Sequence, residues 1–340
     1  MTNKKNRLKM EKNKKIAVLG GGSWATAIAK ILLTNVPSIN WYMRRQEQID
    51  DFIKFSKNPS YLTATKFDVT RINFTSDINE VVKNSDILIL AIPSPFIKLH
   101  LKKLRRKINK KIVVSAIKGM VPDENLVVSE YLHIKYDMPL ENIAILSGPC
   151  HAEEVAFERL SYLTIGCIDR QKAKELSNYI ETSYVKTAIS DDIYGLEYSS
   201  VLKNIFAIAA GICHGLKYGD NFHAVLIANA SQEMAHFCQA LSPIHRDINE
   251  SAYLGDLLVT SYSKFSRNRQ FGNMIGKGYS VKTAQLEMEM IAEGYYGTDC
   301  IHKLNEKYKV NMPICNAVYN ILYQHESPTL EIKKLAEQLA

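Results

Sequence analysis

The chain has no C-x-x-C pair. Its six cysteines, at 150, 167, 213, 238, 300 and 315, are scattered, which argues against a zinc site or a disulfide framework and points to a cytoplasmic, reducing location. Long hydrophobic runs are missing too. Ile87 to Pro93 and Ile205 to Ile212 fall well short of the roughly 20 residues of a membrane helix, so no integral-membrane segment is expected. Low-complexity tracts are absent, as are internal repeats of roughly 20–50 residues. The first residues are basic but precede no small-residue cleavage site, so 1–14 read as a disordered basic leader, with Met10 as an alternative start, and not as an export signal. Acidic residues are in deficit: 43 Lys and Arg against 35 Asp and Glu leave a formal charge of +8. Much of the excess sits in Lys4 to Lys15 and Lys98 to Lys111. Clustered cations are the footprint of phosphate binding. Here they read as solvated surface that also attracts small anions, and no nucleic-acid partner is expected.

What remains is ordinary globular composition, 46% apolar and 23% charged over 340 residues, long enough for two domains. Short branched apolar runs recur between segments of helical character: Lys15 to Leu19, Ser38 to Met43, Ile87 to Ile92, Lys111 to Ile117, Ile143 to Leu146 and Tyr162 to Ile165. That alternation predicts a parallel sheet wrapped on both faces. From about Ser190, apolar residues recur at spacings of three and four in Gly195 to Gly211, Phe222 to Leu241, Val281 to Ala292 and Cys315 to Gln324, predicting helices. The expected class is α/β, with a Rossmann-like, mostly parallel sheet domain over 15–189 and an all-helical domain over 190–340.

Gly20-Gly21-Gly22-Ser23-Trp24-Ala25 follows the first strand and leads into a helical segment, Thr26 to Leu33. It fits G-x-G-x-x-A: Gly20 for the tight turn, Gly22 for close approach to a pyrophosphate, Ala25 for strand–helix packing. The helix N-terminus offers free N–H groups to the anion. A purely structural turn is the competing reading, and the strand–turn–helix context favours a dinucleotide. At the end of the second strand, where an acid would bond the ribose of NAD, stand Arg44 and Arg45. Guanidinium suits a 2′-phosphate, so NADP is expected to bind at least as well as NAD; Arg45 also reads as plain surface charge. Ligands of open parallel sheets lie beyond the carboxyl ends of the strands. There the sequence places Phe96, which suits either ordinary packing or a nicotinamide contact, Lys118-Gly119, and Ser147-Gly148-Pro149-Cys150.

At this point the sequence resembles the bacterial glycerol-3-phosphate dehydrogenase family, from about Lys15 to the last helices. The likeness rests on residues 20–25, Lys118-Gly119, Ser147-Gly148-Pro149, Val201-Leu202-Lys203-Asn204, Leu254-Gly255-Asp256-Leu257, Ser266-Arg267-Asn268-Arg269 and Glu293-Gly294, in that order. The resemblance implies interconversion of sn-glycerol 3-phosphate and dihydroxyacetone phosphate with NAD or NADP, feeding glycerophospholipid synthesis. It implies cofactor contacts at Ser23, Trp24, Arg44, Lys118, Ala152, Arg267, Ile291 and Glu293. A substrate shell is implied at Lys118, Gly148, Cys150, Asp256, Ser266, Arg267 and Asn268, with Lys203 as proton donor and acceptor. Three positions depart from the pattern. Ala25 replaces the third glycine, Cys150 stands where a hydroxyl-bearing Thr is common, and Asp220 to Ala224 lacks a frequent Arg-Thr pair.

The chemistry suits these residue types. Oxidising a secondary alcohol needs a base for the hydroxyl proton while hydride leaves carbon, and the reverse needs an acid at the same place. Lysine does both if its pKa falls from about 10.4 toward roughly 7–8, through burial and a neighbouring cation such as Lys118. Asp256 would orient the ammonium. By itself, a lone Lys in the apolar segment 201–210 reads as a side chain snorkelling to solvent. Residues 266–269 supply a hydroxyl, an amide and two guanidinium groups matched to phosphate oxygens, or else a capping turn with solvated arginines. The rival readings are an NADP-dependent hydroxy-acid or keto-acid reductase of the same layout, and a nucleotide-sensing regulator. The first has no need of the 266–269 cluster, and the second no need of Lys118, Lys203 and Asp256 together. A homodimer is the prior for such enzymes.

Overall fold

The computed structural model describes residues 14–288, 290 and 292–339. Its first half alternates strands and helices: β1 (Ile16–Leu19), α1 (Ser23–Asn35), β2 (Ile39–Tyr42), α2 (Gln46–Phe55), β3 (Ile72–Thr75), α3 (Ile78–Lys83), β4 (Ile87–Leu90), α4 (Ile97–Leu101) and β5 (Ile112–Ser115). There follow a small hairpin, β6 (Met120–Val121) and β7 (Leu126–Val127), then α5 (Val128–Tyr136), β8 (Ile143–Ser147), α6 (Ala152–Ala156), β9 (Ser161–Gly166), α7 (Arg170–Ile180) and β10 (Val185–Ser190). The large sheet runs β10-β9-β8-β5-β4-β1-β2-β3. Six strands, from β3 to β8, are parallel in the doubly wound order with its switch point between β1 and β4.

The sheet differs from the expected one in two ways. β3 and the hairpin are too short or too polar to mark as strands, and β10 carries branched residues only at alternate positions, so the continuous apolar runs of the sequence do not include them. β9 pairs with β8 antiparallel, and β10 follows β9. A parallel neighbour needs a long crossover over the sheet face. Here the short α6 packs on α1 instead, with Lys30 Nζ bonded to the Ala156 carbonyl at 2.7 Å, and the chain turns back.

Among the described residues after Ser190 every regular element is helical: α8 (Ile193–Gly215), α9 (Asp220–Leu241), α10 (Asp256–Tyr262), α11 (Arg267–Gly276), α12 (Val281–Glu287), α13 (Glu293–Tyr308), α14 (Pro313–Tyr323) and α15 (Pro328–Ala336), with a π turn at Ser251–Gly255 leading into α10. The expected helix over 281–292 is shorter: α12 stops at Glu287, with Met288 in extended backbone. α8 begins where Asp192 caps the Gly195 N–H at 2.9 Å and is buried along nearly its whole length. By length and a mean hydropathy of 1.2 it would suffice to cross a bilayer, but that apolar stretch is wholly buried inside the protein. It is the central core helix, and its apolar cluster continues onto one face of the sheet through Leu88, Leu90 and Ile145.

Two close approaches set the geometry. Gly20, at φ +133°, turns against β4 so tightly that a Cβ would overlap the Ala91 carbonyl. α8 and α11 cross at a glycine seam: Gly211 and Gly215 face Gly272 and Gly276, and side chains there would overlap the opposing backbone. The seam fixes where the first turn of α11 stands relative to the middle of α8. Gly20→Ala should therefore lower stability by at least about 1–3 kcal/mol, combining a left-handed Ala with a backbone clash; a urea midpoint equal to wild type would contradict this reading of the turn.

Candidate active site

A cleft of about 440 Å³ opens beyond the carboxyl ends of β1, β4 and β5. It is lined by Gly22, Ser23, Trp24, Phe96, Lys118, Cys150, Ala152, Lys203, Asp256, Ser266, Arg267, Asn268 and Glu293 among the predicted site residues. A smaller cavity of about 290 Å³ beside Asp192 and Arg246 holds none of them. Five predicted residues are not in the lining. Gly20 forms the turn beneath it. The Gly148 carbonyl, at φ +118°, accepts from Lys118 Nζ at 2.7 Å. Arg44 and Arg45 stand exposed at the end of β2. Ile291 lies outside the described residues.

At the centre Asp256 bridges two lysines. Lys203 Nζ donates to Oδ1 at 2.5 Å and to Thr260 Oγ1 at 2.9 Å; Lys118 Nζ donates to Oδ2 at 2.9 Å. Lys203 and Asp256 keep only 5% and 1% of their surface exposed, so the side chain does not snorkel to solvent. Each is positioned locally. Asp256 and Thr260 are one turn apart on α10, and Lys203 projects from α8 one turn after Ser200, which bonds Ser147 of β8 at 2.9 Å. Asn204 donates to the Lys118 carbonyl at 2.8 Å, so adjacent residues of α8 fix both amines. Burial pushes the Lys203 amine down to about 7, with Asp256 opposing and Lys118 reinforcing. The same burial would raise Asp256, but the two ammonium groups outweigh it and hold the carboxyl below its ordinary range.

Around this triad the residues divide by task. Ser266 caps α11, accepting from the Arg269 N–H at 3.3 Å, so the capping reading holds for that hydroxyl. Arg267 makes no salt bridge among the described residues; its guanidinium donates to Met290 Sδ at 3.7 Å, and its charge also acts on the Glu293 carboxyl. Asn268 spends its carbonyl oxygen on the Gly294 N–H at 2.9 Å. Glu293 accepts from both the backbone N–H (3.0 Å) and the hydroxyl of Ser94, clasping the start of α13 to the loop after β4. Cys150 donates its thiol to the Tyr162 carbonyl at 3.2 Å, and burial pushes its pKa up to about 12, so it stays protonated. The other departure, at 220–224, lies at the start of α9, where His223 packs on Tyr262 at 4.5 Å outside the cleft lining.

Two features fit a dinucleotide. A Cβ at Gly22 would meet nothing within 4 Å, so the turn is open toward the cleft. The buried Trp24 indole N–H has no partner among the described residues. Sequence reasoning missed Tyr61, His151, Thr260 and Met290 in the lining. Thr260 was legible as the residue four after Asp256 on a helix. Tyr61 was not: Asn58 bonds the Gly21 carbonyl at 3.1 Å and the N–H groups of Ser60 and Tyr61, folding a distant loop onto the glycine turn.

Profiles described as the N-terminus and C-terminus of NAD-dependent glycerol-3-phosphate dehydrogenase match residues 15–173 and 192–333. The chain belongs to that family. A member named glycerol-3-phosphate dehydrogenase [NAD(P)+] from an Exiguobacterium species is 34% identical over 94% of each chain. The Bacillus subtilis member of the same name is 34% identical over 95% of this chain and 94% of its own. The crystal structure of glycerol-3-phosphate dehydrogenase from Coxiella burnetii superposes with a TM-score of 0.88 at 28% identity, covering 96% of this chain and 99% of that one.

The bridging carboxylate yields a prediction for this family member. Asp256→Asn leaves Lys203 and Lys118 facing each other without a counter-ion, which costs roughly 3–5 kcal/mol. It also removes the charge that raises the Lys203 amine, so that pKa falls below about 7. The unfolded state then binds the extra proton over a wider range, and stability falls further as pH drops. Urea midpoints should show a deficit that widens below pH 7; a constant or absent deficit would contradict the bridge.

Proposed function

We propose that this chain interconverts dihydroxyacetone phosphate and sn-glycerol 3-phosphate with NADP or NAD, in the cytoplasm, and that its product feeds glycerophospholipid synthesis. The observation that carries the reading is a buried amine, Lys203, in a cleft beyond the sheet, bonded to an Asp256 carboxylate that it shares with Lys118. Residues 15–189 act as the dinucleotide-binding part and 190–340 as the helical part that brings the catalytic amine.

The roles follow from position and chemistry. Gly22, Ser23, Trp24, Phe96, Ala152 and Glu293 would hold the dinucleotide, with Ile291 joining them, and Arg44 and Arg45 suit a 2′-phosphate on its ribose. The nicotinamide, when bound, supplies or accepts the hydride. Lys203 takes the proton of the secondary hydroxyl during oxidation and returns it to the carbonyl oxygen during reduction. A pKa of about 7 lets one amine serve in both directions near neutral pH. Asp256 orients that amine, and Lys118 adds positive potential beside the oxygen where charge develops. Arg267, with Ser266 and Asn268, grips the phosphate: among the described residues its guanidinium makes no salt bridge, and its planar fork at the cleft wall suits phosphate oxygens. This feature favours a phosphorylated substrate over the hydroxy-acid reductase reading.

Lys203→Ala should lower kcat by roughly 10²–10⁴-fold, the range for a lost general acid–base group, with NADPH binding retained. Unchanged turnover would remove Lys203 from its role. Arg267→Ala should raise KM for dihydroxyacetone phosphate by roughly 10–100-fold, as expected for a lost charged hydrogen bond. Steady-state assays following NADPH absorbance read both effects. The wild-type control is consumption with dihydroxyacetone phosphate and little with unphosphorylated dihydroxyacetone; equal rates with the two would overturn the phosphate assignment.

A further inference from the structure

The cleft occupies the carboxyl ends of the strands, and the opposite edge of the sheet has a character of its own. In a parallel sheet the N-termini of β1, β4 and β5 share that edge. The chain enters it at Lys14 and Lys15, where the Lys15 N–H donates to Asp86 at 2.9 Å just before β4. Lys111, just before β5, donates to the neighbouring Ser85 carbonyl at 2.5 Å. The loop leading into Lys111 therefore adjoins the point where the leader joins the fold. That loop carries Lys102, Lys103, Arg105, Arg106, Lys107 and Lys110, all exposed. Among the described residues none of the six forms a salt bridge. No acidic residue lies between 98 and 111, and the preceding leader adds cations in sequence from Lys4 to Lys12. Asp86 borders the edge, as does Glu141, whose neighbour Asn142 bonds the Asn109 carbonyl at 3.0 Å. Asp123 and Glu124, both paired with Lys98, and Asp137 after α5 lie beside the flanking helices, and the six loop cations with Lys111 still outnumber these carboxylates.

A second observation narrows the partner. The segment 97–111 contains no Phe, Tyr or Trp, so it offers no platform on which bases would stack. It is flanked instead by exposed aliphatic side chains: Leu99 on α4 and Ile134 on α5 are 50% and 58% exposed. The two helices are tied together because Lys98 and Lys135 share Glu124, at 3.0 and 3.4 Å. Cations beside exposed aliphatics match an anionic lipid interface, to which each Lys or Arg near the surface contributes about 1 kcal/mol.

We propose that this edge docks peripherally on a bilayer surface bearing anionic phospholipid headgroups, with Leu99 and Ile134 entering the headgroup layer. Because the cleft is at the other end of the strands, docking leaves it open to soluble substrate.

Vesicle co-sedimentation with the full chain tests this. Binding is expected to vesicles containing one phosphatidylglycerol in three lipids, and not to pure phosphatidylcholine. It should be lost near 1 M salt, where the screening length falls to about 3 Å. A K102E/K103E/R105E/R106E variant should partition at least about tenfold more weakly while its dehydrogenase kcat/KM stays at wild type. Leu99→Ser with Ile134→Ser should weaken binding without changing its salt dependence. Equal binding to neutral vesicles, no binding to anionic ones at low salt, or full retention by the charge-reversed variant would each overturn the proposal. So would tight, salt-sensitive binding to a DNA duplex by a protein that ignores anionic vesicles.

Discussion

The molecule is organised around one electrostatic compromise: a carboxylate, almost wholly removed from water, shared between two lysine amines. Moving any one of these charges into the interior alone would cost several kcal/mol. Asp256 satisfies the penalty by bonding Lys203 through one oxygen and Lys118 through the other. The compromise is incomplete, because two cations face one anion. The surplus proton is least tightly held on the most buried amine, Lys203, whose pKa falls to about 7. Such a poised group is what the acid–base role proposed for Lys203 requires.

Holding three side chains from different parts of the chain at bonding distance requires backbone precision, which glycines supply. The α8–α11 seam lets two helix backbones meet, so Lys203 and the Arg267 turn keep a fixed separation. Gly20 presses the glycine turn after β1 against the end of β4. Gly119, next to Lys118, has no room for a side chain because the Ser94–Glu293 clasp fills the space. That clasp joins the helical half to the loop after β4 at the cleft wall, so the same contacts that define the pocket also fasten it.

Much of this was legible beforehand where local pattern and tertiary role coincide. The glycine turn and the order of apolar runs announced a doubly wound sheet and the edge at which its cleft lies, and residues 266–269 were marked as a cleft segment, where they stand. What was hidden depended on partners far away in sequence. β3 and β10 are sheet-end strands with exposed or half-buried positions, so they lack the continuous apolar run of a central strand. The reversal of β9 follows from where α6 packs, which the residues of 148–160 do not reveal. Tyr61 reaches the cleft only because Asn58 is captured by the glycine turn. Gly148 illustrates the converse: expected in the substrate shell, it lies outside the cleft lining, where its carbonyl accepts from Lys118.

The central claim is that the Lys203 amine is poised near neutrality by its surroundings. The direct test is a titration of its ε-carbon by NMR in lysine-labelled protein, assigned with the Lys203→Arg variant. The account predicts a midpoint near 7 in the free protein. A midpoint at the ordinary lysine value of about 10.4 would contradict it.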